Sequence, residues 1–300
     1  MQSDSLQERV HTIERRYPDF RMEDICSFQS GISDGLLRNR LAFSILTPPR
    51  VWIRMNQKSH VQILEEFKNL NINFITDSQL PNALSLNPGV HLEPLITFKS
   101  GLFKVQDRSS QLAGNRIPAK ESEQWWDCCC GAGGKSLQLM DRFPGIKITA
   151  TDSRASILDN FSLRLSENER QKVGLYIADL EQPPGDLFEG KMFDGIIADV
   201  PCSGSGTWGR TPEMLCYFDE DQIANFVLKQ RKILVNALPF LKVNGKLIYI
   251  TCSVFRAENE EMVDFISTLP GMQLQDSSII DGISQNSDSM FYAIFSRIAE

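Results

Sequence analysis

The chain has 300 residues, 42% of them hydrophobic, with 31 Lys+Arg against 38 Asp+Glu and a formal charge of −7. That length suits one large domain with a smaller companion, and the acidic balance excludes a protein that coats nucleic acid by global attraction. Seven cysteines (26, 128, 129, 130, 202, 216 and 252), an odd number without paired spacing, read as reduced thiols; a polar start and no bilayer-length apolar run make a cytoplasmic protein the expectation.

Residues 4–46 read as helical, with Leu6, Val10, Ile13 and later Leu36, Leu37, Leu41 and Phe43 at roughly helical spacing, until Pro48-Pro49 ends the stretch. Val51 to Met55 then reads as a strand, His60 to Leu70 as an amphipathic helix, Ile72 to Ile75 as a strand and Ala83 to Leu86 as extended. This α+β unit is either an RNA-binding platform on a small sheet, without the aromatic signature of an RRM, or a structural appendage. The front is mildly basic, with 15 Lys+Arg against 12 Asp+Glu in residues 1–120 and 16 against 26 in the rest. A nucleic-acid substrate would have to be held by local patches there and around a cleft, although a solvated surface of mixed charge accounts for the same numbers. The expected division is 1–98 for this front unit and 99–300 for the larger domain.

From about residue 100 strands alternate with helices, which predicts an α/β fold with a mostly parallel sheet. Gln124-Trp-Trp-Asp-Cys-Cys-Cys130 leads into Gly131-Ala-Gly-Gly134 and a helix from Lys135 to Arg142. Lys147 to Asp152 and Gly174 to Asp179 each end in an acid. Phe193 to Asp199 ends in an acid, a proline and a thiol, and Lys246 to Ser253 carries a second thiol at its end. A long helix from Glu220 to about Leu241 joins the last two. A helix Ala257 to Leu269 and the apolar run Met290 to Ile298 complete the sheet.

Ligands of open α/β sheets sit beyond the carboxyl ends of the strands, so Asp199 and Cys202 belong at the mouth of a cleft. A glycine-rich turn lets backbone N–H groups approach a ligand, and acids at the next two strand ends accept from ribose hydroxyls or an adenine amino group; a nucleoside is implied. A phosphate-binding P-loop fails because Cys129 stands where its first glycine is required, and a dinucleotide fingerprint fails at Ser136. Zinc is discounted: no C-x-x-C pair exists, and the histidines (11, 60 and 91) lie in the front unit. Cys26, Cys128, Cys130 and Cys216 read as small buried residues. Cys202 and Cys252 do not, since both follow strands into loops.

These motifs resemble the Nol/Sun-type RNA (cytosine-5)-methyltransferases from about Val105 to Phe295. Asp127-Cys-Cys-Cys-Gly-Ala-Gly-Gly-Lys-Ser136 is similar to that family's D-x-C-A-A-P-G-G-K-T, Asp199-Val-Pro-Cys-Ser-Gly-Ser-Gly-Thr207 to D-A-P-C-S-G-x-G-T, and Thr251-Cys-Ser253 to T-C-S. Gly209 to Glu213 and Glu258-Asn-Glu260 also match, whereas Cys130-Gly131-Ala132 departs from A-A-P. The resemblance implies a Rossmann-like class I methyltransferase sheet and S-adenosylmethionine as cofactor, held by Cys129, Cys130, Gly131, Ala132, Gly133, Gly134 and Lys135, with Asp152 on the ribose, Asp179 on the adenine edge and Asp199 nearby. It gives Cys252 the attack on cytosine C6, Asp199 and Lys135 the polarisation of the base, and Cys202 a part in loss of the C5 proton and release. DNA enzymes of similar chemistry attack with the Pro-Cys thiol instead. The implied partner is RNA with an unpaired or locally opened cytosine, ribosomal RNA first and transfer RNA second, contacted by Trp208 and Arg210 unless these serve packing and solvated charge. No metal, no membrane and a monomer are expected. With the chain ending soon after the sheet, substrate selection is expected to rest on residues 1–100. A non-catalytic RNA-binding ribosome-assembly factor on the same fold is the competing expectation.

Overall fold

The computed structural model describes residues 6–26, 28 and 31–299. Among the described residues of the front segment, α1 (Leu6–Arg16) and α2 (Arg38–Ile45) are the α-helices, so the expected continuous helical stretch is corrected. Pro18 and Gly35, whose φ of 89° suits only glycine, break the spacing between them; residues 4, 5, 27, 29 and 30 lie outside the described residues. The apolar positions still do the work of an amphipathic segment. Val10, Met22, Leu36, Leu41 and Ile45 are buried together with Trp208, Val254 and Phe255 of the larger domain. Backbone bonds fasten the same segment there: Ser33 N–H donates to Val254 O (2.8 Å) and Arg256 N–H to Gly31 O (2.9 Å).

Strands β1 (Val51–Met55), β2 (Phe74–Thr76), β3 (Ala83–Leu86) and β4 (Phe103–Val105) form an antiparallel sheet in the order β2-β3-β1-β4. Its fourth strand comes from beyond residue 98. Period-two alternation gives β1 two apolar faces. Ile53 and Met55 pack with Ile63 and Phe67 of α3 (His60–Asn69). On the opposite face Trp52 and Ala83 meet Leu112 of α4 (Arg108–Asn115), while Arg54 pairs with Asp141 and donates from Nε to Gln106 Oε1 at 2.7 Å. Both faces of β1 are therefore packed, one against α3 and the other against the larger domain.

The larger sheet contains β5 (Gln124–Asp127), β6 (Lys147–Asp152), β7 (Val173–Ile177), β8 (Phe193–Asp199), β9 (Leu241–Thr251), β10 (Met272–Ile280) and β11 (Met290–Arg297), ordered β10-β11-β9-β8-β5-β6-β7. Strands β5 to β9 pair in parallel and β11 runs antiparallel between β9 and β10. Helices α5 (Gly134–Arg142), α6 (Ala155–Arg164), α7 (Asp221–Ala237) and α8 (Glu260–Ser267) pack against it. Trp125 and Trp126 show why the sheet is covered on both sides: both are fully buried, one packing with Leu137 and Ile248, its neighbour with Phe188 and Phe193. Each contributes about 2–3 kcal/mol by leaving water. Gly195 on β8 makes room for the first, since a Cβ there would stand 2.4 Å from the Trp125 ring. The chain leaves β5 to one side for β6 and β7 and to the other for β8 and β9, which opens a crevice at the carboxyl ends of β5 and β8.

Candidate active site

Register brings the predicted groups to that crevice: Asp127 stands opposite both Ala150 and Ile197, Asp152 opposite Ile177 and Asp199 opposite Ile250, one residue before Thr251. The glycine-rich turn is stitched to its neighbours on both sides. Cys128 N–H donates to Ile197 O and Cys130 N–H to Thr151 O, both at 2.9 Å, and Gly131 N–H reaches Asp152 Oδ2 at 3.1 Å. With Gly131 at φ 51°, the turn closes without the proline that the resembling family has at 132.

A cleft of about 700 Å³ opens here, a volume typical of small-molecule sites. Cys129, Cys130, Gly131, Ala132, Gly134, Lys135, Asp152, Asp179, Asp199, Cys202 and Cys252 line it. Gly133 is the exception: at φ 75° it turns the backbone, and a Cβ there would strike the Phe161 ring at 2.2 Å, so its place is in the packing beneath. Cys216 is exposed, against the expectation of a buried thiol.

Asp152 is the better-prepared acceptor. Burial alone would raise its carboxyl, but hydrogen bonds from Arg154 and the Gly131 amide hold it below the ordinary carboxylate range. Asp179 stands exposed at the rim. Glycine backbone open to the cleft, with nothing within 4 Å of a Cβ at Gly131 or Gly134, and acids at consecutive strand ends fit the nucleoside and amino-acid ends of S-adenosylmethionine. Underneath, Asp127 accepts from Ser136 Oγ at 2.6 Å while its second oxygen has no hydrogen-bond partner; burial pushes this carboxyl up to about 7.

At the other end of the cleft Lys135, only 4% exposed, donates from Nζ to Asp199 Oδ2 (3.0 Å) and Ser110 Oγ (2.8 Å). Beside them Cys202 Sγ and Cys252 Sγ lie 3.3 Å apart. The bond between the thiols, then burial, pushes the Cys202 thiol well above its usual value. A lysine, an acid and two thiols thus face one space large enough for a planar base.

Trp208 does not face that space: it is 2% exposed, edge-on to Phe28, Phe218 and Phe255. Arg210 pairs with Asp288. Sequence reading missed Ser110, Arg154 and Asp288, which no motif marks, and noted Glu258 without a role. Among the described residues no helix is long and apolar enough to cross a membrane, and no group of His, Cys, Asp or Glu side chains is arranged to hold a metal ion.

The model of the family described as 16S rRNA methyltransferase RsmB/F matches residues 116–295. The ribosomal RNA small subunit methyltransferase B of Proteus mirabilis is 27% identical over 306 residues, covering 99% of this chain and 70% of that one. Its namesake in Vibrio vulnificus is 29% identical over 260 residues, 83% of this chain and 60% of that one. Several other curated relatives are matched over only about half of their length. Among solved structures, PH0851 aligns with a TM-score of 0.82 at 21% identity, over 98% of this chain and 69% of that one. NSun6 from Pyrococcus horikoshii, solved with SFG, aligns at 0.77 and 17%, over 88% and 94%. These two likenesses establish a shared fold.

Proposed function

The chain belongs to the 16S rRNA methyltransferase RsmB/F family, and on that premise we propose that it transfers a methyl group from S-adenosylmethionine to C5 of an unpaired or locally opened cytosine in RNA, with ribosomal RNA the first candidate. S-adenosylmethionine supplies an electrophilic methyl group when bound. Cytosine C5 is too weak a nucleophile to accept it directly, so the Cys252 thiolate first adds to C6, moving the electron pair of the C5–C6 double bond towards C5 and the ring. The Asp199 carboxylate and the Lys135 ammonium hold the base and stabilise the charge that develops on it. Once C5 carries the methyl group, its proton leaves to water, the C6–S bond breaks, and the double bond re-forms. Cys202, in contact with Cys252, assists that departure. Residues Cys129 to Lys135 with Asp152 and Asp179 hold the cofactor.

The observation that carries this reading is the contact of two thiols at 3.3 Å beside the Lys135–Asp199 pair. A protein that only binds RNA has no use for that set. The test is transfer of labelled methyl to RNA by the wild type, Cys252→Ala and Cys202→Ala, with protein–RNA adducts resolved on a denaturing gel. The expected result is an inactive, adduct-free Cys252→Ala and a Cys202→Ala that accumulates the covalent complex. Reversed behaviour would assign attack to Cys202, and no methylation at all would favour the assembly-factor reading.

A further inference from the structure

Ser110, on α4, lines the cleft beside Lys135 and reaches it from the side of the smaller unit. Its Oγ accepts from Lys135 Nζ at 2.8 Å and from Gln106 Nε2 at 3.3 Å. Both partners can only donate. The ammonium has no lone pair. The Gln106 amide is oriented by Arg54, itself a pure donor, whose Nε donates to Gln106 Oε1 at 2.7 Å; Gln106 Nε2 is left to face Ser110 and Gln138 Oε1, the latter at 2.8 Å. Both lone pairs of the Ser110 hydroxyl are thus occupied. Its hydrogen donates to no group among the described residues and is left to the cleft. The two groups next to it each keep one position open as well. Asp199 takes Lys135 on Oδ2 at 3.0 Å, while Oδ1 has no hydrogen-bond partner among the described residues. The Lys135 ammonium gives one N–H to Asp199 and one to Ser110, and its third remains. In the order Asp199, Lys135, Ser110 the wall of the cleft therefore offers an acceptor, a donor and a donor.

We propose that Ser110 is a catalytic residue whose hydroxyl donates to O2 of the target cytosine, completing a three-point reader with Asp199 at N4 and Lys135 at N3. This rests on the cytosine reading above and deepens it. The Watson–Crick edge of an extruded cytosine is the complement of the wall: N4–H donates, N3 accepts and O2 accepts. Uracil conflicts with the first two positions, because its O4 accepts and its N3–H donates. The third contact also bears on the rate. When the Cys252 sulfur adds to C6, the electron pair displaced from the C5–C6 double bond spreads over C5, N3 and O2, so a donor fixed at O2 stabilises the adduct more than the ground state. The turn and acids assigned to the cofactor follow β5, β6 and β7, whereas Ser110 is joined through Lys135 to Asp199 at the end of β8, on the side of the thiols.

The test removes the acceptor as well as the donor. Transcripts of 16S ribosomal RNA made with cytidine or with 2-thiocytidine, in which a weakly accepting sulfur replaces O2, are offered to the wild type, Ser110→Ala and Ser110→Thr, and kcat/KM is measured on each. On the cytidine transcript Ser110→Ala falls about 10–10²-fold, while Ser110→Thr, which keeps the hydroxyl, stays close to the wild type. From oxygen to sulfur the wild type and Ser110→Thr lose about tenfold, whereas Ser110→Ala makes no distinction. Any effect of sulfur on the folding of the RNA is common to the three proteins and cancels between them. A Ser110→Ala variant with the wild-type oxygen-to-sulfur ratio overturns the proposal, because the serine would then only seat Lys135. The same ratio with weakened binding of S-adenosylmethionine in calorimetry overturns it in favour of a cofactor contact. A wild-type ratio near one overturns it without any variant. Failure of the underlying reading shows separately, as a wild type that methylates neither transcript or places the methyl group elsewhere than C5.

Discussion

Arg210, on the loop that follows Cys202, forms an ion pair with Asp288, whose own backbone N–H donates to Asp107 Oδ2 at 3.2 Å. Asp107 and Asp288 thus lie together near one arginine, and the loop that follows Cys202 is pinned to the approach of β11. Burial, and then Asp107, pushes the Asp288 carboxyl up to about 7. In the unfolded chain the same carboxyl titrates near 4. Its contribution to stability is therefore complete below about pH 4 and is lost as the pH rises through about 7. Urea unfolding between pH 5 and 8 should show this loss, Arg210→Met should steepen it, and Asp288→Asn should flatten it. A wild-type slope retained in Asp288→Asn would refute the assignment.

Gly133 carries a prediction about folding. An alanine there combines a left-handed backbone with a Cβ inside the Phe161 ring, so Gly133→Ala should cost about 2–5 kcal/mol in chemical unfolding. Gly134→Ala meets nothing within 4 Å and should fold normally, its effect appearing in cofactor affinity by calorimetry. Equal stability of Gly133→Ala and the wild type would contradict the packing.

Lys135 should act on the rate more than on binding. Lys135→Met leaves Asp199 without its cation, and we expect kcat for methyl transfer to fall about 10²–10³-fold at saturating RNA and cofactor, a larger change than the loss of cofactor affinity that follows from its place in the cradle. Lys135→Arg should not rescue it, because a planar fork does not fit a slot shaped for one ammonium between Asp199 and Ser110. An arginine variant of near wild-type rate would rule this out.

Arg54 joins the small sheet to the larger domain through Asp141 and Gln106. Removing a largely buried partner leaves an uncompensated acid, so Arg54→Met should lower stability by about 2–3 kcal/mol and speed limited proteolysis near residues 99–107. Cofactor binding should survive. If proteolysis is unchanged, the two units are held by Trp52 and Leu112 without help from the ion pair.

The strand ends carrying Asp127, Asp152, Asp199 and Cys252 were legible because each is an apolar run stopped by a polar residue, a pattern local enough to read. β10 was not: Gln273 to Ser278 is exposed and, apart from Leu274, polar, as an edge strand can be when only its partner β11 is in the core. Trp208 and Arg210 were open questions because a sequence cannot say whether an aromatic or a cation meets solvent or another chain segment; here Phe28 and Asp288, far away in sequence, decide it. Glu258 was visible only as part of a motif, since its partners at 203, 230 and 253 converge through folding alone.

The short bridge between Ile32 and Phe255 also sets a clock. It is reinforced by Asn259, whose amide reaches Ser33, 226 residues earlier in sequence, while its carbonyl accepts from Thr251 next to Cys252. Contacts of that span are the slowest to form, because the entropy of closing so long a loop opposes them until most of the structure is in place. During synthesis the segment around Ile32 and Ser33 must wait for residues 254–259 to emerge before these partners exist. The surroundings of Cys252 are thus among the last parts of the molecule to mature, after the glycine-rich turn and the strands beside it.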